Sequence, residues 1–181
     1  YDRLAGIFDG ELLTRRLWLG SGLNTASDAR AKEVLGLSDS SEDLARLMKL
    51  QVTDYHWIDR SLDGHRLHKR LLAQEVKKVF PQATNILPTA RAIPNVYALA
   101  KTLEHDVKQG LLTITTAQAH GLQAGDLVDL IADTTALEET KVKAVIDANR
   151  FVIESQSKPQ ALFVYGKYVK DFHTVDYDAI S

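Results

Sequence analysis

"LLTIT" (111–115), "DLVDLIA" (126–132), "TKVKAVI" (140–146), "RFVIES" (150–155) and "ALFVYGKYV" (161–169) follow one another along the second half of the chain. Each is a short apolar run rich in β-formers. Turn residues separate them: His120-Gly121, Gly125-Asp126 and Asp147 to Asn149. Strands spaced this regularly form a β-meander, and the spacing predicts a small antiparallel roll or barrel.

Upstream the pattern is different. "ATNILPTARAIPNVYALAK" (83–101) carries two prolines and reads as an extended connector with a short turn. Before it, "LLAQEVKKVFPQ" (71–82) places Leu72, Val76, Val79 and Phe80 on one face of a short helix that stops before Pro81. "QVTDYHWID" (51–59) reads as a strand entering a hairpin at Asp63-Gly64. In "LSDSSEDLARLMKL" (37–50), Asp39 and Glu42 have capping-box spacing, and Leu44, Leu47 and Met48 share a helical face. The first 22 residues read as strand and turn, with Asp9-Gly10 between two apolar runs.

Composition narrows the classes. Of 181 residues 45% are hydrophobic, enough for a core, and 25% are charged, with a formal net charge of −2. That balance points to no nucleic-acid partner and no basic membrane patch. No apolar run approaches the roughly 20 residues that span a bilayer. The absence of cysteine excludes disulfides and thiolate metal sites. The chain opens at Tyr1 rather than methionine, so it is expected to be a piece of something longer.

The chemistry-bearing candidates are few. Ser27 and Lys32 stand in the polar stretch "NTASDARAK" (24–32). Read alone, Ser27-Asp28 is a helix N-cap and Lys32 a solvated charge. A nucleophilic serine needs a base, and lysine serves as one only when neutral. Arg30 is close enough in sequence to favour the neutral form. Residues five apart do not share a helical face, so a Ser27–Lys32 contact within one chain requires a bend at Ser27. The other route is a contact across a subunit boundary, which ties reactivity to assembly. His65 and His68, His56 beside Trp57, and His120-Gly121 read as surface, strand and turn residues. Asp176 and Asp178 read as a solvated strand end. No metal or cofactor is expected, since there is no nucleophile elbow, phosphate loop or zinc signature.

Three segments in order, "SDARAK" (27–32), "LLAQEVKKVFPQA" (71–83) and "VDYDAIS" (175–181), resemble the hallmarks of the endosialidase-type intramolecular chaperone family. That family sits at the C-terminus of phage tail spikes and fibres, of some bacterial surface proteins and of some eukaryotic membrane-bound factors. Its marks are an S-D-x-R-x-K start, an A-Q-E-V helix followed by proline, and a V-D-Y motif. "VTDYHWID" (52–59) is similar to its aromatic strand. Here Ala31 replaces the usual leucine, and Leu71 a common glycine. The likeness covers Asn24 to about Ala83 and about Phe172 to Ser181.

The resemblance implies a domain that assembles as a homotrimer, helps the upstream stalk of its own chain to fold, and cuts itself off at Ala26–Ser27. Ser27 is then the nucleophile and Lys32 the general base of a single-turnover serine endopeptidase. Asp28 and Arg30 hold the turn, and Gln74 and Glu75 are supporting polar groups. The host is expected to be a virion tail protein or a bacterial surface or secreted protein, with the chaperone released after cleavage. The fold expected is α+β: a small helix-and-hairpin chaperone core, an inserted antiparallel β-roll and an N-terminal β segment from the stalk. Its expected divisions are 1–26 (stalk end), 27–84 (core, first part), 85–170 (connector and β subdomain) and 171–181 (closing segment). The competing expectation is a non-cleaving trimerisation cap or receptor-binding tip.

Overall fold

The structure, a computed structural model, describes residues 28–180. The chain divides into two compact units, Tyr1–Asp39 and Ser40–Ser181. The Asp9-Gly10 hairpin, the N-terminal β segment and the Ala26–Ser27 bond lie outside the described residues.

In the first unit, Ala29–Ala31 form one 3-10 turn. Residues 33–39 have no regular structure, and Val34, Leu35 and Leu37 are exposed.

The second unit begins with helix α1 (Ser40–Leu47), so Asp39 does precede a helix, as its spacing predicts. Glu42 pairs with Arg46 at 2.7 Å, one turn along. Strand β1 (Val52–Tyr55) pairs antiparallel with β2 (His68–Leu71), Val52 opposite Leu71 and Tyr55 opposite His68. Between them lies the four-residue helix α2 (Arg60–Asp63), closed at Gly64, whose φ of +71° suits glycine. The Asp63-Gly64 pair therefore ends a helix and is not the tight hairpin turn that its dipeptide suggests. Helix α3 (Ala73–Val79) stops before Pro81, as expected.

The rest is β. Strands β3 (Thr84–Ile86), β4 (Arg91–Ala92) and β5 (Ala98–Leu99) lie in the expected connector. They are followed by β6 (Thr102–Asp106), β7 (Leu111–Thr115), β8 (Leu127–Ala132) and β9 (Thr135–Val145). Then come β10 (Arg150–Glu154), β11 (Leu162–Val169) and β12 (His173–Val175). The five strands of the meander are thus β7 to β11. They join β4 and β6 in one antiparallel sheet ordered β4-β11-β8-β9-β10-β7-β6, with β5 also on β11. Strand β6 forms one outer edge.

The α+β expectation, with its helix-and-hairpin core, is corrected here. The described residues are mostly β, with only three short α-helices. The helical patterns are real, but the elements are too short to build a core between them. Helix α1 buries none of its residues, and its apolar Leu44 and Leu47 stay exposed. The strands β1 and β2 are four residues each and are joined by a long connection.

Burial follows the strand period. On β7 Leu112 and Ile114 face inward, and on β11 Leu162 and Val164 do. With Leu122, Val128, Leu130, Val142, Phe151 and Ile153 they make one continuous core. A second, smaller core holds Val76, Phe80 and Ala83, packed by Leu50, Leu71, Val79, Val175, Ala179 and Ile180. Its two halves come from before and after the large sheet in the sequence. The pairing of β3 with β12 (Thr84 opposite Val175, Ile86 opposite His173) joins them.

The connector is a strap fixed to β11. Asn95 Oδ1 accepts from Lys167 N at 2.8 Å, and its Nδ2 donates to the His120 carbonyl at 3.2 Å. The strap fits because β11 bulges at Gly166, whose φ is +155°. A Cβ there would collide with the Ile93 carbonyl and lie 2.6 Å from Asn95 Oδ1. Gly166→Ala is expected to cost about 2 kcal/mol or more and to lower the melting temperature by several degrees, as calorimetry would read.

Candidate functional site

The "SDARAK" segment is described from Asp28 onward; Ser27 lies outside the described residues. Asp28 caps the turn that follows it: its Oδ1 accepts from Arg30 N at 2.9 Å. The Arg30 guanidinium returns onto the same carboxylate, Nε at 3.0 Å from Oδ1 and Nη2 at 2.6 Å from Oδ2. This donation from Arg30, first through its side chain and then through its backbone N–H, holds the Asp28 carboxyl below its ordinary range. The pair explains why an acid and an arginine stand two apart here. It also sets the Arg30 charge against a carboxylate two residues away. Lys32 ends the turn. Its N–H donates to the Ala29 carbonyl at 3.1 Å, its backbone turns extended, and its side chain is exposed. A single tight turn, not a continuous helix, therefore separates Asp28 from Lys32.

Gln74 and Glu75 lie in the first turn of α3. Gln74 is exposed, and Glu75 accepts from Lys78 Nζ at 2.8 Å on both oxygens. Val76, the next residue of A-Q-E-V, is fully buried in the smaller core. The motif is thus half packing and half surface. V-D-Y divides in the same way. Val175 packs into that core, the Asp176 N–H donates to the Ala83 carbonyl at 2.9 Å, and Tyr177 is exposed. Asp176 Oδ1 accepts from Asp178 N at 3.0 Å, so the two acids make a turn at the strand end.

Asp59 carries the densest polar cluster, and motif reasoning passes it by. It is almost fully buried. Its Oδ1 accepts from Ser61 Oγ at 2.7 Å, Leu62 N at 3.2 Å and Tyr97 OH at 3.1 Å; its Oδ2 accepts from Tyr165 OH at 3.2 Å. Burial alone would raise its pKa. The donors, Ser61 and Leu62 ahead of the two tyrosines, outweigh burial and hold the carboxyl below its ordinary value. The one cue in the sequence is local: aspartate before "RSLD" is a helix-cap pattern.

The histidines divide by environment. His120 is buried, not a plain turn residue. Its Nδ1 accepts from Leu122 N at 2.9 Å, its Nε2–H donates to the Asp147 carbonyl at 3.1 Å, and its ring meets Phe151 edge-on. His65 Nδ1 accepts from Arg60 at 3.0 Å, while His68 stacks on Tyr55. Among the described residues no group of three or more His, Cys, Asp or Glu side chains is placed to hold a metal ion. Nor, among them, is any helix long and apolar enough to cross a membrane.

Residues 27–85 match the peptidase S74 family model, chaperone of endosialidase. The segment that opens at Ser27 and runs through α3 to β3 is thus similar to that family, and the likeness supports an intramolecular chaperone role. The large sheet and V-D-Y lie beyond the match. No curated protein matches the chain.

Because the folded-state pKa of Asp59 is depressed, its stabilisation is present above the unfolded-state value of about 4 and lost as pH falls through the folded-state value. Asp59→Asn is expected to cost about 2 kcal/mol at pH 7 and to flatten the acid limb of a stability–pH curve measured by denaturant unfolding.

Proposed function

We propose that this chain ends a fibrous phage tail protein or a bacterial surface protein, brings three copies together, and then releases itself by cutting at Ala26–Ser27. One observation carries the assembly reading. Among the described residues, twelve of the twenty exposed large apolar side chains lie between Val34 and Leu72, within the family segment. Leu44 and Met48 of the α1 region are 60% and 78% exposed, and Trp57 and Ile58 are half exposed. Exposed apolar side chains in this number along one segment are the mark of a protein–protein surface. A closed ring of three copies, each making the same head-to-tail contact with the next, covers such side chains.

The chemistry follows from residue types. Neutral Lys32 Nζ takes the proton of Ser27 Oγ as that oxygen bonds to the Ala26 carbonyl carbon. The Ala26–Ser27 C–N bond breaks, and the Ser27 amine takes up the proton. Water then divides the ester, leaving a carboxylate on Ala26 and a free hydroxyl on Ser27. A lysine works as base only once it is withdrawn from water, and Lys32 is exposed in a single copy. The reading therefore ties cutting to assembly. A stalk rich in long-range β pairing folds slowly. Joining its three chains at one end raises their effective concentration, and cutting afterwards leaves a kinetically trapped product.

Intact mass at neutral pH, on the chain carried with its natural flanking sequence, tests the cut. A new N-terminus at Ser27, absent in Lys32→Ala, is the expected result. A whole chain that still forms trimers sinks the peptidase and leaves the non-cleaving cap. Replacing Leu44 and Met48 by serine tests the surface: the trimer is expected to weaken at least tenfold by sedimentation, about 1.4 kcal/mol, with the melting temperature little changed. Unaltered association would remove Leu44 and Met48 from the contact.

A further inference from the structure

The turn between β1 and β2 does not stand by itself. Helix α2 is four residues long, and a helix of one turn has little stability of its own. It is organised by Asp59, but only two of that carboxylate's donors, Ser61 and Leu62, are local. The other two are tyrosine hydroxyls that reach it from 38 and 106 residues away, on the strap and on β11.

Those hydroxyls are placed by the large sheet. Tyr97 has a φ of +43°, a left-handed conformation that residues with a side chain seldom adopt. It is held there by its N–H to the Tyr165 carbonyl at 2.9 Å and by edge-on contacts of its ring with Phe163 at 5.1 Å and Tyr165 at 5.9 Å. Both supports belong to β11. The two donors therefore stand at this spacing only after β11 has joined the sheet and the strap has laid along it. The turn they complete is flanked by exposed apolar residues of the family segment: Trp57 and Ile58 before it, Leu62 within it, Leu67 after it.

We propose that the large β-sheet is a folding checkpoint for the chaperone segment. Tyr97 and Tyr165 set the Asp59–Gly64 turn, so the apolar surface around it takes its assembling form only in a chain whose sheet has folded. This regulation rests on the reading that the segment assembles copies of the chain. It gives the β subdomain a purpose: chains with an unfinished sheet are kept out of the trimer.

The test compares the whole chain with its Tyr97→Phe/Tyr165→Phe double variant, which removes both hydroxyls and keeps both rings. Hydrogen exchange reads the turn and native mass reads assembly. The expected result is exchange about tenfold faster or more across residues 59–67, unchanged exchange across 107–155, and a smaller trimer fraction. If the double variant unfolds, Tyr165→Phe alone is expected to speed exchange in the turn about threefold or more. Turn exchange equal to wild type, in a wild type that does assemble, overturns the checkpoint alone. So does faster exchange with assembly unaltered. A wild-type chain that stays monomeric overturns the assembly reading itself, and the checkpoint with it.

Discussion

The antiparallel pairing of Thr84–Ile86 with His173–Val175 is the contact on which the second unit turns. It is only three residues long. It nevertheless closes a loop that contains the whole large sheet, and it delivers Val175, Ala179 and Ile180 to helix α3. Without that return, Val76, Phe80 and Ala83 would have one side of their packing and not the other. The smaller core has three buried residues against ten in the larger one. A core this small holds only as an annex to a better-packed neighbour. Two ties supply the connection: the β3–β12 pair at the neck of the loop and the Asp59 carboxylate at its side.

Those ties differ in kind. The backbone pair is indifferent to side-chain identity beyond what its three residues pack against. The carboxylate is particular, because a buried charge is tolerable only when its oxygens are matched by donors. Four donors from three parts of the chain meet that demand. Elsewhere on β11, Tyr168 donates to Asp129 at 3.2 Å; burial first, and that carboxylate second, push its phenol up to about 12. One strand thus offers phenolic hydroxyls to two separate carboxylates, which helps to fix its register beside a bulge.

How much of this could be read from the chain depends on the range of the interaction. The meander was legible because strand burial has period two and its turns are marked by Gly, Asp and Asn. Helix α3 was legible through its apolar spacing and Pro81. The pairing of β1 with β2 was legible, but the connection between them was not, since Asp63-Gly64 carries a turn signal whether it ends a helix or joins two strands, and only the Asp59 cap distinguishes them. The helix-and-hairpin core failed for a related reason. The apolar stripe Leu44, Leu47 and Met48 predicts a packed face, but periodicity does not say whether that face packs within the chain or outside it. At the candidate site, Asp28 and Arg30 were expected to hold the turn only through the family likeness, and their pairing with each other was not foreseen. Tyr97 and Tyr165 were not legible either, because nothing local to either tyrosine points to Asp59.

The outer strand of the large sheet has its own bearing on how copies of this chain live together. Among the described residues, strand β6 stands at one edge of the sheet, the kind of rim along which sheets from separate molecules fuse. Its sequence, Thr-Leu-Glu-His-Asp, alternates an apolar or aromatic-ring residue facing one way with Thr102, Glu104 and Asp106 facing the other. Two such rims laid antiparallel about their centres would set Glu104 against Glu104, like charge against like charge. The rim thereby repels its own image. Copies of this chain brought close together can therefore share another interface and still not run together into a continuous, amyloid-like sheet.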